Sequence, residues 1–277
     1  MSSNSYTSYV PEGGHKMPEH LYHYTNLETL KLILENKTFR LSSLNKMDDL
    51  EEGETEDFQK LGRFIYISSW TNNPNESLLL WGYSRGNDGV RIKMKSNIFK
   101  TEHINGNVVI NGNNVTVNEH FNIGILDLMR TKDVVFFPPR AELFRVTYTD
   151  LDRLLKPTVL KRFPNGDFQI TTQDLGMFKR VEWQDQQEWR YRLHSTPVNI
   201  REMATGNANS YDALIEKIRT REELPFIDLP LRDDAFDDLE ILCGPQMSLE
   251  GKEELKLVLE QYAPNAIVRD SGMRIRI

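Results

Sequence analysis

The chain has 277 residues, 39% hydrophobic and 27% charged, the proportions of a soluble globular protein with a core. Its net charge of -7 argues against a broad nucleic-acid-coating surface and leaves room for a local basic groove. One cysteine, Cys243, excludes an internal disulfide and a cysteine-rich metal site; no apolar run approaches the roughly 20 residues of a membrane span, and the polar opening is no secretory signal, so a cytoplasmic protein is expected.

Residues 1–19, rich in Ser, Gly and Pro, read as a flexible arm, and 20–277 as a single α+β domain. Leu21-Tyr22-His23-Tyr24 suits a short strand. Thr25 and Glu28 form a capping box for a helix over 26–35, with Leu27, Leu30, Ile33 and Leu34 at helical spacing and Asn36 as a left-handed stop. Residues 39–42 are a second extended piece. The acidic run 45–57, which includes Asp49 and Glu52, reads first as a solvated loop or helix start. Residues 64–70 make a buried strand ending in Ser68-Ser69-Trp70, and 78–83 a short apolar helix carrying Trp81 and Tyr83. Val90 to Met94 alternates as a strand.

Asn111-Gly112 between Val108-Val109-Ile110 and Val115-Thr116-Val117 signals a hairpin. Residues 120–130 read as a helix and 143–148 as a strand, while 151–180 mixes helical and extended signals. In 188–193 the period of two puts Trp189, Tyr191 and Leu193 on one face and Glu188, Arg190 and Arg192 on the other, with Gln186 joining the second set. A helix is expected at 211–220, a strand at 239–243, a Ser248-capped helix at 249–262, and extended pieces at 266–268 and 273–275.

The chain has no phosphate loop, dinucleotide fingerprint or nucleophile elbow, and no histidine stands at zinc-ligand spacing with a second ligand, so no metal is expected. What remains is His23 at a strand end, Ser68 and Ser69, Trp81 and Tyr83, and Glu188 in a late strand. Taken singly, each has a structural reading: a packed histidine, core aromatics, a carboxylate paired with a neighbouring arginine.

Their order resembles the ADP-ribosyltransferase superfamily in its His-Tyr-Glu branch, which includes the poly-ADP-ribose polymerases and the diphtheria-type toxins. His23-Tyr24-Thr25 with its following helix resembles that branch's opening unit. Ser68-Ser69, the helix carrying Tyr83 and the strand bearing Glu188 resemble the later ones. Over 20–277 the chain is also similar to a bacterial family of uncharacterised proteins with a Leu-Tyr-His-Tyr-Thr opening. The matching pieces are Asp48-Asp49-Leu50-Glu51-Glu52-Gly53, Leu80-Trp81-Gly82-Tyr83, Gly89-Val90, Trp183 with Glu188-Trp189-Arg190, and Gly244-Pro245-Gln246-Met247-Ser248. The acidic loop lacks that family's Pro, and Tyr83 follows Trp81 at a shortened spacing.

The resemblance implies a split, mostly antiparallel sheet with flanking helices. It implies NAD as substrate without a metal, and transfer of ADP-ribose to a protein or nucleic-acid acceptor. Glu188 would stabilise the positive charge that develops on the ribose. His23 would hold the adenosine-side ribose, beside Tyr24 and Thr25. Tyr83 or Trp81 would stack on nicotinamide, with Ser68, Ser69 and Arg190 lining the pocket. Gln186, Asp49 and Glu52 would face the acceptor, and Arg180, Arg190 and Arg192 could meet phosphates or pair structurally. A toxin or phage-defence effector is the analogy. The alternatives are a non-catalytic nucleotide-binding or interaction module, or an NAD glycohydrolase.

Overall fold

A computed structural model describes residues 16–84, 88–110, 112–124, 127, 134–205 and 210–275. Most of the expected arm, and residues 125, 126 and 128–130 of the expected helix over 120–130, therefore lie outside the described residues; at 120 and 121 the chain is strand rather than helix, because both residues stay in a hairpin ladder. Strand β1 (His20–Asn26) leads into helix α1 (Leu27–Asn36), then β2 (Thr38–Ser43), β3 (Ile65–Thr71), helix α2 (Leu78–Trp81) and β4 (Gly89–Lys95). The hairpin β5 (Glu102–Ile110) and β6 (Asn113–Phe121) follows, and after it come the short strands β7 (Val135–Phe136), β8 (Glu142–Arg145), β9 (Thr147–Tyr148), β10 (Leu160–Arg162), β11 (Phe168–Ile170) and β12 (Phe178–Lys179). The chain closes with β13 (Glu188–Thr196), a helix at Tyr211–Thr220, β14 (Phe226–Pro230), β15 (Glu240–Cys243), a helix at Leu249–Tyr262 and β16 (Ile267–Asp270).

The main sheet runs β14-β2-β3-β1-β4-β15-β16, with β13 on β3 and β7 and β8 on β13. Every pairing in it is antiparallel except β15 with β16. Strand β13 lies along the whole of one edge of β3. The other edge is shared: β2 takes it at Ile67 and Tyr66, and β1 touches it only at Tyr22↔Thr71. The sheet is therefore split between β1 and β2, and Thr71 sits at the fork.

Alternation sorts the side chains onto two faces. Leu21, Ile92 and Ile241 share one face and join the main core with Leu27, Leu30 and Leu34 of α1 and Leu255 and Leu259 of the Leu249–Tyr262 helix. The other face carries two smaller apolar clusters, Tyr24-Trp81-Leu242 and Phe144-Val146-Met177.

Several local expectations shift by a residue or more. Asn26, not Thr25, caps α1: its Oδ1 accepts from Thr29 N at 2.8 Å, while Thr25 is buried in β1. The strand keeps its ladder one residue longer, so the cap moves along. The left-handed stop is Lys37 (φ 51), after Asn36. The hairpin extends well beyond the apolar triplets, with its ladder running from Ile110↔Asn113 out to Glu102↔Phe121. Residues 143–148 break into β8 and β9 at Val146, and 273–275 lies outside any strand. The Ser248 cap holds, its hydroxyl accepting from Gly251 N at 3.0 Å.

Candidate functional site

Glu188 begins β13 directly after a two-turn 3-10 helix, Val181–Gln186, and the left-handed Gln187 (φ 46). Its backbone is held on two sides: Glu188 N donates to the Tyr148 hydroxyl at 2.9 Å, and Glu188 O accepts from Val146 N at 2.9 Å. Its side chain follows the parity of Thr71 and lies on the face opposite α1.

Four buried charges meet there. Arg190 donates Nε to Glu188 Oε1 at 2.7 Å and Nη2 to Glu188 Oε2 at 3.0 Å. Arg190 Nη1 bonds Glu52 Oε1 and also donates to the Gly176 carbonyl at 2.8 Å. Lys179 Nζ donates to Glu188 Oε2 at 3.2 Å and stands 3.9 Å from Glu52 Oε2. The group is formally neutral and almost fully out of solvent. Burial pushes the Glu188 carboxyl up, but Arg190 and Lys179 outweigh it, with the Ser69 hydroxyl helping, and hold it at about 2. At Glu52 burial wins over Arg190 and raises the carboxyl; its Oε2 makes no hydrogen bond. Arg190 loses by burial but gains more from Glu188 and Glu52, so its pKa rises.

Glu52 reaches this point through a glycine contact. Gly53 has φ +81 and packs against Gly62, whose N donates to Gly53 O at 2.9 Å; a Cβ on Gly53 would stand 2.8 Å from Gly62 Cα. Asp49 turns the chain inward, its Oδ1 accepting from Glu51 N at 3.1 Å.

A polar chain leads from the buried group to the surface. Lys179 Nζ donates to Gln186 Oε1 at 2.9 Å, and Gln186 Nε2 donates to the Tyr83 hydroxyl at 2.7 Å. The Tyr83 side of this chain is exposed at 37%. Burial raises the Tyr83 pKa, and the nearby Asp48 carboxylate adds to that.

The structure thus gathers Glu188, Arg190, Glu52, Ser69, Gln186 and Tyr83 of the expected site, with Asp49 at its margin. It does not bring His23 to Glu188. Tyr22 pairs with Thr71 and Thr71 with Glu188, so His23 falls in the row of Trp70 and Trp189, on the other face. The His23 ring packs on Phe39 and Trp70 at 5.0 and 5.1 Å, and its Nδ1 bonds Ser69 O at 2.8 Å. Burial pushes its pKa down to about 4, so the ring is neutral at pH 7. Ser68 faces the same way and accepts from Trp70 Nε1 at 2.9 Å. Thr25 is likewise buried in β1.

Tyr24 and Trp81 meet edge-to-face at 4.9 Å, with Tyr24 Oη accepting from Ser77 N at 3.1 Å and Trp81 Nε1 donating to Glu76 Oε2 at 3.1 Å. Trp81 also lines a cavity of about 200 Å³ with Ser84, Gly89, Gly244, Pro245 and Gln246, among others.

The three arginines are all paired. Arg180 Nε binds Glu51 at 2.6 Å, Arg190 is in the buried group, and Arg192 Nη2 binds Glu142 at 3.0 Å. Two partners are not marked in the sequence: Lys179, one of three lysines in the stretch of mixed signals, and Tyr148, which reaches Glu188 from β9. Neither carries a local signal, because each acts through a long-range contact.

Among the described residues no three His, Cys, Asp or Glu side chains gather into a metal site, and no helix is long and apolar enough to cross a membrane. No protein-family model, curated protein or solved structure matches the chain.

Proposed function

We propose that the chain is an NAD-dependent ADP-ribosyltransferase of ADP-ribosyltransferase-like fold, working on the Glu188 face of its split sheet. The observation that carries this reading is the ionised Glu188 carboxylate at the fork of the sheet, joined through Lys179 and Gln186 to the exposed ring of Tyr83. A carboxylate kept charged in a water-poor site suits a reaction in which positive charge grows on a ribose as nicotinamide departs. Tyr83 offers the stacking ring and Gln186 the acceptor-side amide. Arg190 and Lys179 position the carboxylate. His23 supports the sheet from behind, so its part is packing, not contact with the ribose. The acceptor is a protein or a nucleic acid, and the setting a cytoplasmic toxin or defence effector.

One observation favours a second reading, a nucleotide-binding module without turnover. Glu188 already accepts from Arg190 twice and from Lys179, and it is only 4% exposed. Substrate must draw Lys179 away before the carboxylate can face a ribose.

The test is nicotinamide release from NAD with cell lysate as acceptor, beside calorimetric NAD binding, for wild type and Glu188→Gln. Release by the wild type, lost in a folded Glu188→Gln that still binds NAD, supports transfer. Release without a labelled acceptor indicates an NAD glycohydrolase. Binding without release supports the module, and absence of both overturns both readings.

A further inference from the structure

The hairpin β5–β6 forms its own two-stranded sheet outside the main one. His103 lies directly opposite His120 across it. Both side chains are exposed, and their rings stack at 4.8 Å with 26° between the planes. Opposed residues of an antiparallel pair hold their Cβ atoms about 4.5–5.5 Å apart. From that spacing two imidazoles can each place a nitrogen about 2.0–2.1 Å from one ion.

Asn118 adds an independent feature. Its Oδ1 stands 2.7 Å from His103 Nε2. An amide oxygen only accepts, so Nε2 carries a proton, and in the neutral ring Nδ1 is the nitrogen left with a free lone pair. Ligating histidines are ordinarily oriented in this way, through a hydrogen bond from the second ring nitrogen to a carbonyl. His120 makes no hydrogen bond among the described residues. Thr116 and Asn107 bond each other at 2.9 Å on the same face, which is polar along this stretch.

We infer that His103 and His120 form a two-nitrogen site for a divalent first-row transition-metal ion, with Asn118 setting the His103 tautomer and water completing the coordination. The two histidines are far apart in sequence, so ligand spacing along one segment could not reveal them; the strand register does. Imidazole suits copper, nickel and zinc, and affinity along the row peaks at Cu²⁺. A bound ion would also clamp β5 to β6, making the order of this hairpin respond to metal supply.

The experiment adds Cu²⁺ alone to the full chain, followed by calorimetry and electron paramagnetic resonance. The wild type is expected to take up one Cu²⁺ whose spectrum shows coupling to two nitrogens. His103→Asn and His120→Asn should each lose that signal, and Asn118→Val should bind about tenfold or more weakly. Both histidines are exposed and outside the main sheet, so circular dichroism of the variants should match the wild type. The inference is overturned if the double variant, His103→Asn with His120→Asn, binds as many Cu²⁺ ions as the wild type. It is equally overturned if either histidine alone sustains the wild-type affinity.

Discussion

Trp189 and Arg190 are neighbours in the chain and both are buried, yet they are held by different physics. Trp189 belongs to the apolar core with Trp70, Tyr191 and Leu193. That face is stabilised by area removed from water, a sum of many small contacts in which one change of shape can be absorbed. Arg190 belongs to a group of four charges whose stability depends on a count: two carboxylates balanced by two cations. Removing one member strands its partners in a medium that cannot solvate them. One face of a single strand is therefore tolerant and the other brittle, and the brittle face is the one that carries the candidate chemistry.

The largest effect expected from this contrast is at Arg190. Arg190→Met keeps much of the volume and leaves Glu52 and Glu188 facing only Lys179. Chemical denaturation should show a loss of roughly 3–5 kcal/mol. Adding Glu52→Leu restores the balance of charge, leaving Lys179 with Glu188, and should recover a large part of that loss. A double variant no more stable than Arg190→Met would mean that packing, not charge, is what Arg190 supplies.

The next effect appears as a pH dependence. His23 titrates at about 4 when folded against 6.5 in an open chain. Between those values the unfolded state takes a proton that the native state refuses, so stability falls as pH drops from 6.5 toward 4 and levels off below. The span corresponds to something on the order of 3 kcal/mol. His194, pushed down to about 3 by burial and then by Arg192, adds a loss of the same sign from 6.5 toward 3. Glu188 continues the acid-side loss from 4.5 toward 2. His23→Phe keeps an aromatic ring against Phe39 and Trp70 and removes the titration. Its stability curve should be distinctly flatter between pH 6.5 and 4, with the His194 slope remaining. An unchanged slope would show that the His23 ring is hydrated after all.

How much of this was legible in the sequence follows from the range of each interaction. The alternation of apolar and charged residues in 188–193 assigned both faces of β13 correctly, because the period of two is local to a strand, even though both faces are buried. The Ser248 cap and the helices at Tyr211–Thr220 and Leu249–Tyr262 were legible for the same reason. The relation of His23 to Glu188 was not. It depends on β1 meeting β3 at one pair and β3 meeting β13 in one register, and a slip of one residue would exchange the faces. Lys179 was illegible too, since nothing near it in the chain announces that it closes a buried ion group.

A smaller effect belongs to the apolar side. The Trp189 indole N–H is buried without an acceptor. Trp189→Phe gives up ring volume but also removes that stranded donor, so the two changes oppose each other. Thermal or chemical unfolding should shift by less than about 1.5 kcal/mol. A loss as large as that of Arg190→Met would erase the distinction between the faces.

Tyr83→Phe is expected to perturb stability least, and it discriminates best at the site. The substitution removes only the hydroxyl that accepts from Gln186, on a residue that water already reaches. The expected loss is about 0.5–1 kcal/mol. Its value lies in comparison with Tyr83→Ala. If the ring stacks on nicotinamide, Tyr83→Phe keeps NAD binding and nicotinamide release near wild type, while Tyr83→Ala loses both. If Tyr83 serves only as a latch on Gln186, the two variants behave alike, because both free the Gln186 amide and with it the hold on Lys179. In that case release of Lys179 from Gln186 should make Glu188 easier to reach, and NAD binding should strengthen in both variants together.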